Sequence, residues 1–277
     1  MDTPLQILIG GFAVTVMLSV GLALPVREVA AVRERPMALL GGLVLNYVLV
    51  PLWIVLLVQL APVDPAAATG LLLCAAAPGG PVGAFFTQRA RGALGVAVAL
   101  VVVMNLLNPV VTTAWIGVLG LRSADGGPGL DLLGIARTIV VYQLIPLGLG
   151  VVALHKWPEA AARVQPWVAR AAQLLMGLMA VGFVLLKPEV LLEAGPWPVV
   201  VASVSVWGAL GMGWAMGRGD AQLGSALALT AGIRNMSMVM VTVAAWFPDP
   251  ATLLGAISYS VSMFVWSGLA TLALKRP

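Results

Sequence analysis

The feature that most limits what this chain can form is a succession of apolar runs, each about as long as a bilayer is thick. Read between clusters of Pro, Gly and charge, nine such runs fall at 4–24, 37–60, 67–91, 93–120, 131–154, 166–186, 196–217, 221–247 and 251–274. A helix needs roughly 20 residues to cross the hydrocarbon core, so nine crossings use about 190 residues and leave under ~90 for connections. The longest polar stretches, such as 25–36 and 155–166, are too short for a separate soluble domain. Only 9% of the 277 residues are charged, against about a quarter in a soluble domain. The pattern predicts an all-α integral membrane protein with one transmembrane domain, residues 1–277.

The +4 net charge comes from dispersed side chains, 15 basic and 11 acidic, which gives no nucleic-acid surface. Their placement sets an orientation, because basic residues favour short cytoplasmic loops. With the N-terminus outside, Arg27, Arg33, Arg35, Arg89, Arg91, Lys156, Arg163, Arg170, Arg218, Lys275 and Arg276 lie on the cytoplasmic side, and Arg122 and Lys187 outside. Met1-Asp2-Thr3-Pro4 lacks the basic start of a secretory signal, so the first run is read as a span. The expected setting is a cell inner membrane, with the C-terminus cytoplasmic. Cys74, the single cysteine, excludes an internal disulfide and reads as a packing residue.

Two spans are interrupted. The third contains Pro78-Gly79-Gly80-Pro81, where missing N–H donors and permissive glycines end any continuous helix. The eighth contains Gly232-Ile233-Arg234-Asn235, which places a guanidinium at mid-membrane depth. These breaks lie five spans apart, an odd offset that makes equivalent segments inverted in topology. Broken helices expose backbone groups that a membrane tolerates only inside protein or beside a wet cavity. Paired breaks therefore point to the solute site of a secondary transporter.

The residues around the breaks resemble the bile acid:sodium symporter family. The resemblance is carried by Leu71-Leu72-Leu73-Cys74-Ala75-Ala76-Ala77-Pro78-Gly79-Gly80, then by Phe86-Thr87-Gln88-Arg89-Ala90-Arg91-Gly92. Asn46-Tyr47-Val48-Leu49-Val50-Pro51, and Gly232 to Asn235 followed by Phe247-Pro248-Asp249-Pro250, fall where that family has related motifs. The resemblance implies two inverted repeats of five helices, with the discontinuous helices crossing and the family's first helix missing here. It implies a panel of spans 4–24, 131–154 and 166–186, and a core of spans 37–60, 67–91, 93–120, 196–217, 221–247 and 251–274. It further implies an organic anion as solute, often coupled to sodium.

The family's sodium ligands do not carry over. Gly83-Ala84 stand where it has Ser-Asn, and Ala97 and Val101 where it has Ser and Thr ligands. Thr230 replaces the glutamate shared by its two sodium sites, Arg234 a glutamine, and Asn46 another glutamine, whereas Asn235 is retained. A hard cation wants several oxygens, one usually anionic when buried. Arg234 has three readings: a built-in cation at the carbonyl end of its own half-helix, a partner for a solute oxyanion, or a snorkelling side chain.

The candidate substrate-binding residues are Arg234, Asn235, Thr230, Asn46, Thr87, Gly79, Gly80, Gly83, Ser262 and Met263, with no catalytic, metal or cofactor site. Ser258 to Phe264 in the last span reads mainly as packing, with its hydroxyls and Tyr259 lining a cavity as the alternative, Gly213 and Gly217 as an internal close contact, and Trp53, Trp157, Trp167 and Trp197 as interfacial anchors. Enzymatic motifs are absent, and no Asp, Glu or His falls at mid-depth for proton coupling. The expected activity is sodium-independent alternating-access transport of a small organic anion or polar organic solute. A sodium-coupled symporter with an atypical site is the alternative, and a channel the less favoured one. The expected partners are that solute and the lipid bilayer, with sodium in the alternative; the oligomeric state is open.

Overall fold

The computed structural model describes residues 3–24, 35–121 and 131–274, and all regular structure among them is helical. The chain runs α1 (Thr3–Ala23), α2 (Pro36–Val44), a π-helical turn (Leu45–Leu49), α3 (Val50–Leu60), α4 (Pro65–Ala76), α5 (Val82–Arg89) and α6 (Leu94–Val118). It continues with α7 (Leu132–Ile139), a second π-helical turn (Val140–Leu144), α8 (Ile145–Lys156), α9 (Pro158–Leu186) and the short α10 (Pro188–Ala194). The last elements are α11 (Trp197–Met216), α12 (Ala221–Gly232), α13 (Met236–Trp246) and α14 (Pro250–Leu274). Six stretches among the described residues are long and apolar enough to cross a membrane: Gln6–Ala23, Pro36–Leu60, Leu94–Val118, Leu132–Lys156, Trp197–Met216 and Pro250–Leu274. Pro65–Ala76 and Met236–Trp246 are shorter apolar helices.

Local chemistry sets the helix starts. Proline opens α2 and α4, where its fixed φ suits the first turn and its missing N–H costs no bond. Both interrupted segments begin with an aspartate cap on a 12-residue helix. Asp64 accepts from the N–H groups of Ala66 and Ala67 at 2.9 and 3.1 Å, and Asp220 from those of Gln222 and Leu223 at 3.0 Å each. The Leu223 N–H and the Arg35 guanidinium, 2.8 Å away, hold the Asp220 carboxyl below the usual carboxylate range.

Three features differ from or add to the sequence expectations. The sixth run begins as helix at Pro158 rather than near 166 and carries Pro166 within it. Alanines 160–162 favour helix, Glu159 suits the positive end of the dipole, and Arg163 lies 3.7 Å from Glu159 one turn on. Two long passages contain π turns that apolar periodicity does not reveal. Trp53, read as an interfacial anchor, also packs against Gly208 and donates its indole N–H to the Val204 carbonyl, 3.4 Å away, a helix contact that the sequence does not show. Arg27, Arg33, Arg122, Lys275 and Arg276 lie outside the described residues.

The second interrupted segment is the centre of the fold, buried without a gap from Gly224 to Ala244. Its first half, α12, packs on α11, α5 and α6; its second half, α13, packs on α1, α7 and α14. α1 also packs on α8 and α9. The α11–α12 contact requires glycine: a Cβ on Gly217 would lie 2.2 Å from the Gly224 Cα, and one on Gly213 would lie 2.5 Å from the Ala228 backbone. The pair therefore brings helices together within the molecule. Overpacking of this kind costs about 1–3 kcal/mol, so Gly217→Ala is expected to lower the thermal midpoint of the purified protein. Gly177→Ala, with open space around the added methyl, is the control and should not lower it; equal midpoints for both variants would contradict the close contact.

Candidate functional site at the crossing of two broken helices

The two interruptions meet. Gly79 and Arg234 pair as an antiparallel bridge, and the Gly80 N–H donates to the Ile233 carbonyl at 3.1 Å. Neither glycine can carry a side chain here. A Cβ on Gly79 would stand 2.6 Å from the Thr230 carbonyl oxygen, and one on Gly80 2.8 Å from that of Arg234.

The Arg234 guanidinium, 1% exposed, crosses from the second break to the first. Its Nε donates to the Cys74 carbonyl at 3.0 Å and one Nη to the Ala75 carbonyl at 2.6 Å. Both Nη atoms also reach the Asn46 carbonyl, at 3.3 and 3.4 Å. Each acceptor is missing its regular helical donor for a reason written in the sequence, although the Cys74 carbonyl also accepts from the Ala77 N–H at 3.3 Å. Cys74 and Ala75 belong to the last turn of α4, and the residue four beyond Cys74 is Pro78, which has no N–H. In the first π turn, the Val50 N–H bonds to the Leu45 carbonyl, so the same register sets the Asn46 carbonyl opposite the nitrogen of Pro51. The last α4 carbonyl, Ala76, accepts from the Thr112 hydroxyl at 3.0 Å. The expectation that Arg234 would face its own half-helix is corrected: its side chain lies at the negative end of the other one.

Asn235 caps α13. Its Oδ1 accepts from the Ser237 hydroxyl at 2.8 Å and the Met238 N–H at 3.4 Å, and its Nδ2 donates to Asn105 Oδ1 at 3.2 Å. Asn46 turns its Nδ2 back to the Gly42 carbonyl at 2.9 Å. Thr230 bonds back to the Ala226 carbonyl at 2.7 Å, and Thr87 to that of Gly83 at 2.8 Å.

Beside the crossing lies a cavity of about 240 Å³ lined by Phe12 of α1, Met176 and Met179 of α9, Met236 and Met240 of α13, and Ile257, Ser260, Val261, Phe264 and Val265 of α14. The Ser260 hydroxyl is buried without a partner among the described residues. Met236 directly follows the Asn235 cap, so the cavity abuts the N-terminus of α13.

Residues 12–194 match the Sodium Bile acid symporter family. This chain belongs to that family. It is 26% identical over 231 residues to Sodium/bile acid cotransporter 4 of Mus musculus, and 26% identical over 239 residues to the protein of that name from Homo sapiens. Each alignment covers 80% of this chain and 51% of the relative, so the chain spans about half the length of the curated relatives it matches. Family and apolar helices together make it a multi-pass membrane protein.

Within this symporter-family fold, the ten residues singled out in the sequence divide. Arg234, Asn235, Asn46, Thr230, Gly79, Gly80 and Gly83 gather at the crossing; Gly83 packs on the backbone of Thr230. Thr87 lies one turn along α5 from Gly83, and a methyl on Gly92 would crowd it. Ser262 faces Ser203 of α11, 3.2 Å between hydroxyl oxygens, and Met263 is wholly packed. None of the ten lines the cavity. Ser260, Val261 and Phe264 belong to the stretch Ser258–Phe264, whose hydroxyls offered a cavity lining that packing outweighed; the other cavity residues went unread because they are apolar and look like core, although Met236 and Met240 share a helical face at a spacing of four.

Arg234→Ala would leave the Ala75 and Asn46 carbonyls without donors and the Cys74 carbonyl with only the Ala77 N–H, and one unsatisfied buried polar group costs about 1–3 kcal/mol. The variant should lose at least ~2 kcal/mol of stability in denaturant titration. Arg234→Lys should recover little of it, since the three donors of an ammonium radiate from one nitrogen, which cannot stand at the separate Nε and Nη positions of the fork. Full recovery by lysine would show that charge alone suffices.

Proposed function

We propose that the chain is a secondary transporter that moves a small organic anion or polar organic solute by alternating access, without sodium, using Arg234 as a resident cation. The observation that carries this reading is the Arg234 guanidinium on the carbonyls of Cys74, Ala75 and Asn46. A cation that donates to main-chain oxygens at a helix C-terminus does electrostatically what a bound metal ion would do there. The side-chain oxygens that the family's sodium sites use are replaced by Gly83, Ala84, Ala97 and Val101.

As proposed, the chain makes nine passages, with α4–α5 and α12–α13 counted as one each and the short α10 counted as none; the six stretches long and apolar enough to cross a membrane support this. In the proposed arrangement the two interrupted passages are equivalents in inverted repeats; their matching aspartate-capped 12-residue first halves support this. The panel comprises α1, the α7–α8 passage and α9, and the remaining passages form the core. The N-terminus lies outside and the C-terminus in the cytoplasm of an inner membrane.

The cavity supports rocking of panel against core because its walls come from both, Phe12, Met176 and Met179 on one side and Met236, Met240, Ile257 and Ser260 on the other. Its volume falls below the ~300–1,000 Å³ of pockets that enclose drug-sized ligands, which favours a small solute. Its walls favour an apolar body, with the polar or anionic end at Ser260 and the positive end of α13.

Counterflow in proteoliposomes tests the reading, with radiolabelled taurocholate and a panel of short-chain carboxylates as probes. The expected result is saturable counterflow of at least one probe at equal rates in sodium and potassium, lost in Met240→Trp, which fills the cavity. Uptake that is concentrative only under an inward sodium gradient would favour sodium coupling, the reading the relatives' names support. Flux that never saturates would favour a channel.

A further inference from the structure

Gln143 is the buried residue of the π turn Val140–Leu144, 2% exposed, in a passage whose other π-turn side chains are less covered. That passage joins two layers. Its second half, α8, packs on α1 and α9, whereas its first half, α7, packs on α6 and α13. The π turn adds a residue to one turn of helix, which changes the face that the following residues present. Here it directs an amide inward to the end of the crossing.

Gln143 Nε2 donates to Asn105 Oδ1 on α6, the same oxygen that accepts from Asn235 Nδ2. Asn105 is itself fixed, its Nδ2 donating to the Val101 carbonyl at 2.7 Å. One amide oxygen thus ties Gln143 to the residue that caps α13. The other half of the Gln143 amide is open: Oε1 has no partner among the described residues, and neither has the hydroxyl of Thr242 on α13. Both line one cavity of about 10 Å³ together with Thr138 and Ser237. An acceptor and a donor therefore face one small space without being bonded. Apolar contacts slide, but an amide bond buried in a membrane protein is either made or broken, which makes its residue a discrete register for the layers it joins.

We infer that Gln143 is a positioning residue: it latches the α1–α8–α9 layer to the core in this arrangement and sets the Asn235 cap through Asn105. When the layers rock, the Gln143–Asn105 bond breaks. The amide then finds its donor across the small cavity, at Thr242 or a water, because a cavity of ~10–15 Å³ holds one water. The inference rests on the rocking motion proposed above.

The test measures the populations of the two arrangements. Nitroxide labels at Trp157→Cys, between α8 and α9, and Gln88→Cys on α5, both exposed positions, are placed in a Cys74→Ala background. Pulsed electron–electron resonance on the protein in nanodiscs then reads the distance between layer and core. Two distances are expected. Gln143→Met keeps the length and removes the amide, and it should depopulate the present arrangement about fivefold, the factor that one net hydrogen bond of ~1 kcal/mol is worth. Asn105→Ala should do the same, and adding Gln143→Met to it should change nothing further, because the two residues share one bond. A ratio that Gln143→Met leaves unchanged, or effects of the two variants that simply add, would overturn the latch. A single distance in the parent and every variant would overturn the rocking motion and the latch with it.

Discussion

A chain inside a membrane must satisfy every main-chain polar group without water, and in this protein one guanidinium meets that demand where two helices stop. The prolines at 51 and 78 each remove an N–H that would have served a carbonyl, and the last turn of α4 leaves others open. Arg234 supplies donors to all three carbonyls at once, from the break of the other helix. The two interruptions are therefore complementary: one exposes acceptors, and the other carries a side chain shaped to meet them. Among the described residues no carboxylate is a hydrogen-bond partner of this buried cation; the partial negative charge of a helix end takes that role.

The rest of the architecture follows from this crossing. Gly79 and Gly80 let the backbones touch, so that the bridge forms and the second break is held against the first. Asn235 then starts α13 at a fixed place and angle. Because α13 is fixed, Met236 and Met240 form one wall of the cavity, and α1 and α9 supply the opposing wall.

Much of this was readable from the residues. The apolar runs anticipated the bounds of the six long apolar helical stretches to within a few residues, because bilayer thickness and helix rise leave little freedom. Pro78-Gly79-Gly80-Pro81 and Gly232-Ile233-Arg234-Asn235 announced the breaks by chemistry. What could not be read depends on which helix packs on which. That Arg234 reaches Cys74 rather than its own half-helix is a fact of the crossing, invisible to periodicity. The π turns follow from Pro51 and Pro146 only once their neighbours are known, since a proline in a span also occurs without one, as at Pro109 and Pro166. The cavity is lined by side chains that look like packing, and Gln143 and Asn105 are single amides in apolar runs whose partners lie far away in sequence.

The central claim is that Arg234 occupies electrostatically the place of a bound cation. The most direct measurement is the thermal unfolding midpoint of purified protein in sodium chloride against potassium chloride at equal ionic strength, for the parent chain and Arg234→Ala. A ligand that binds only the folded state raises its stability by mass action. The account predicts no sodium-specific shift in the parent and a sodium-specific rise in the alanine variant, where the three carbonyls are again free to meet an ion. A sodium-specific rise in the parent chain would contradict it, because a cation site would then exist alongside the guanidinium.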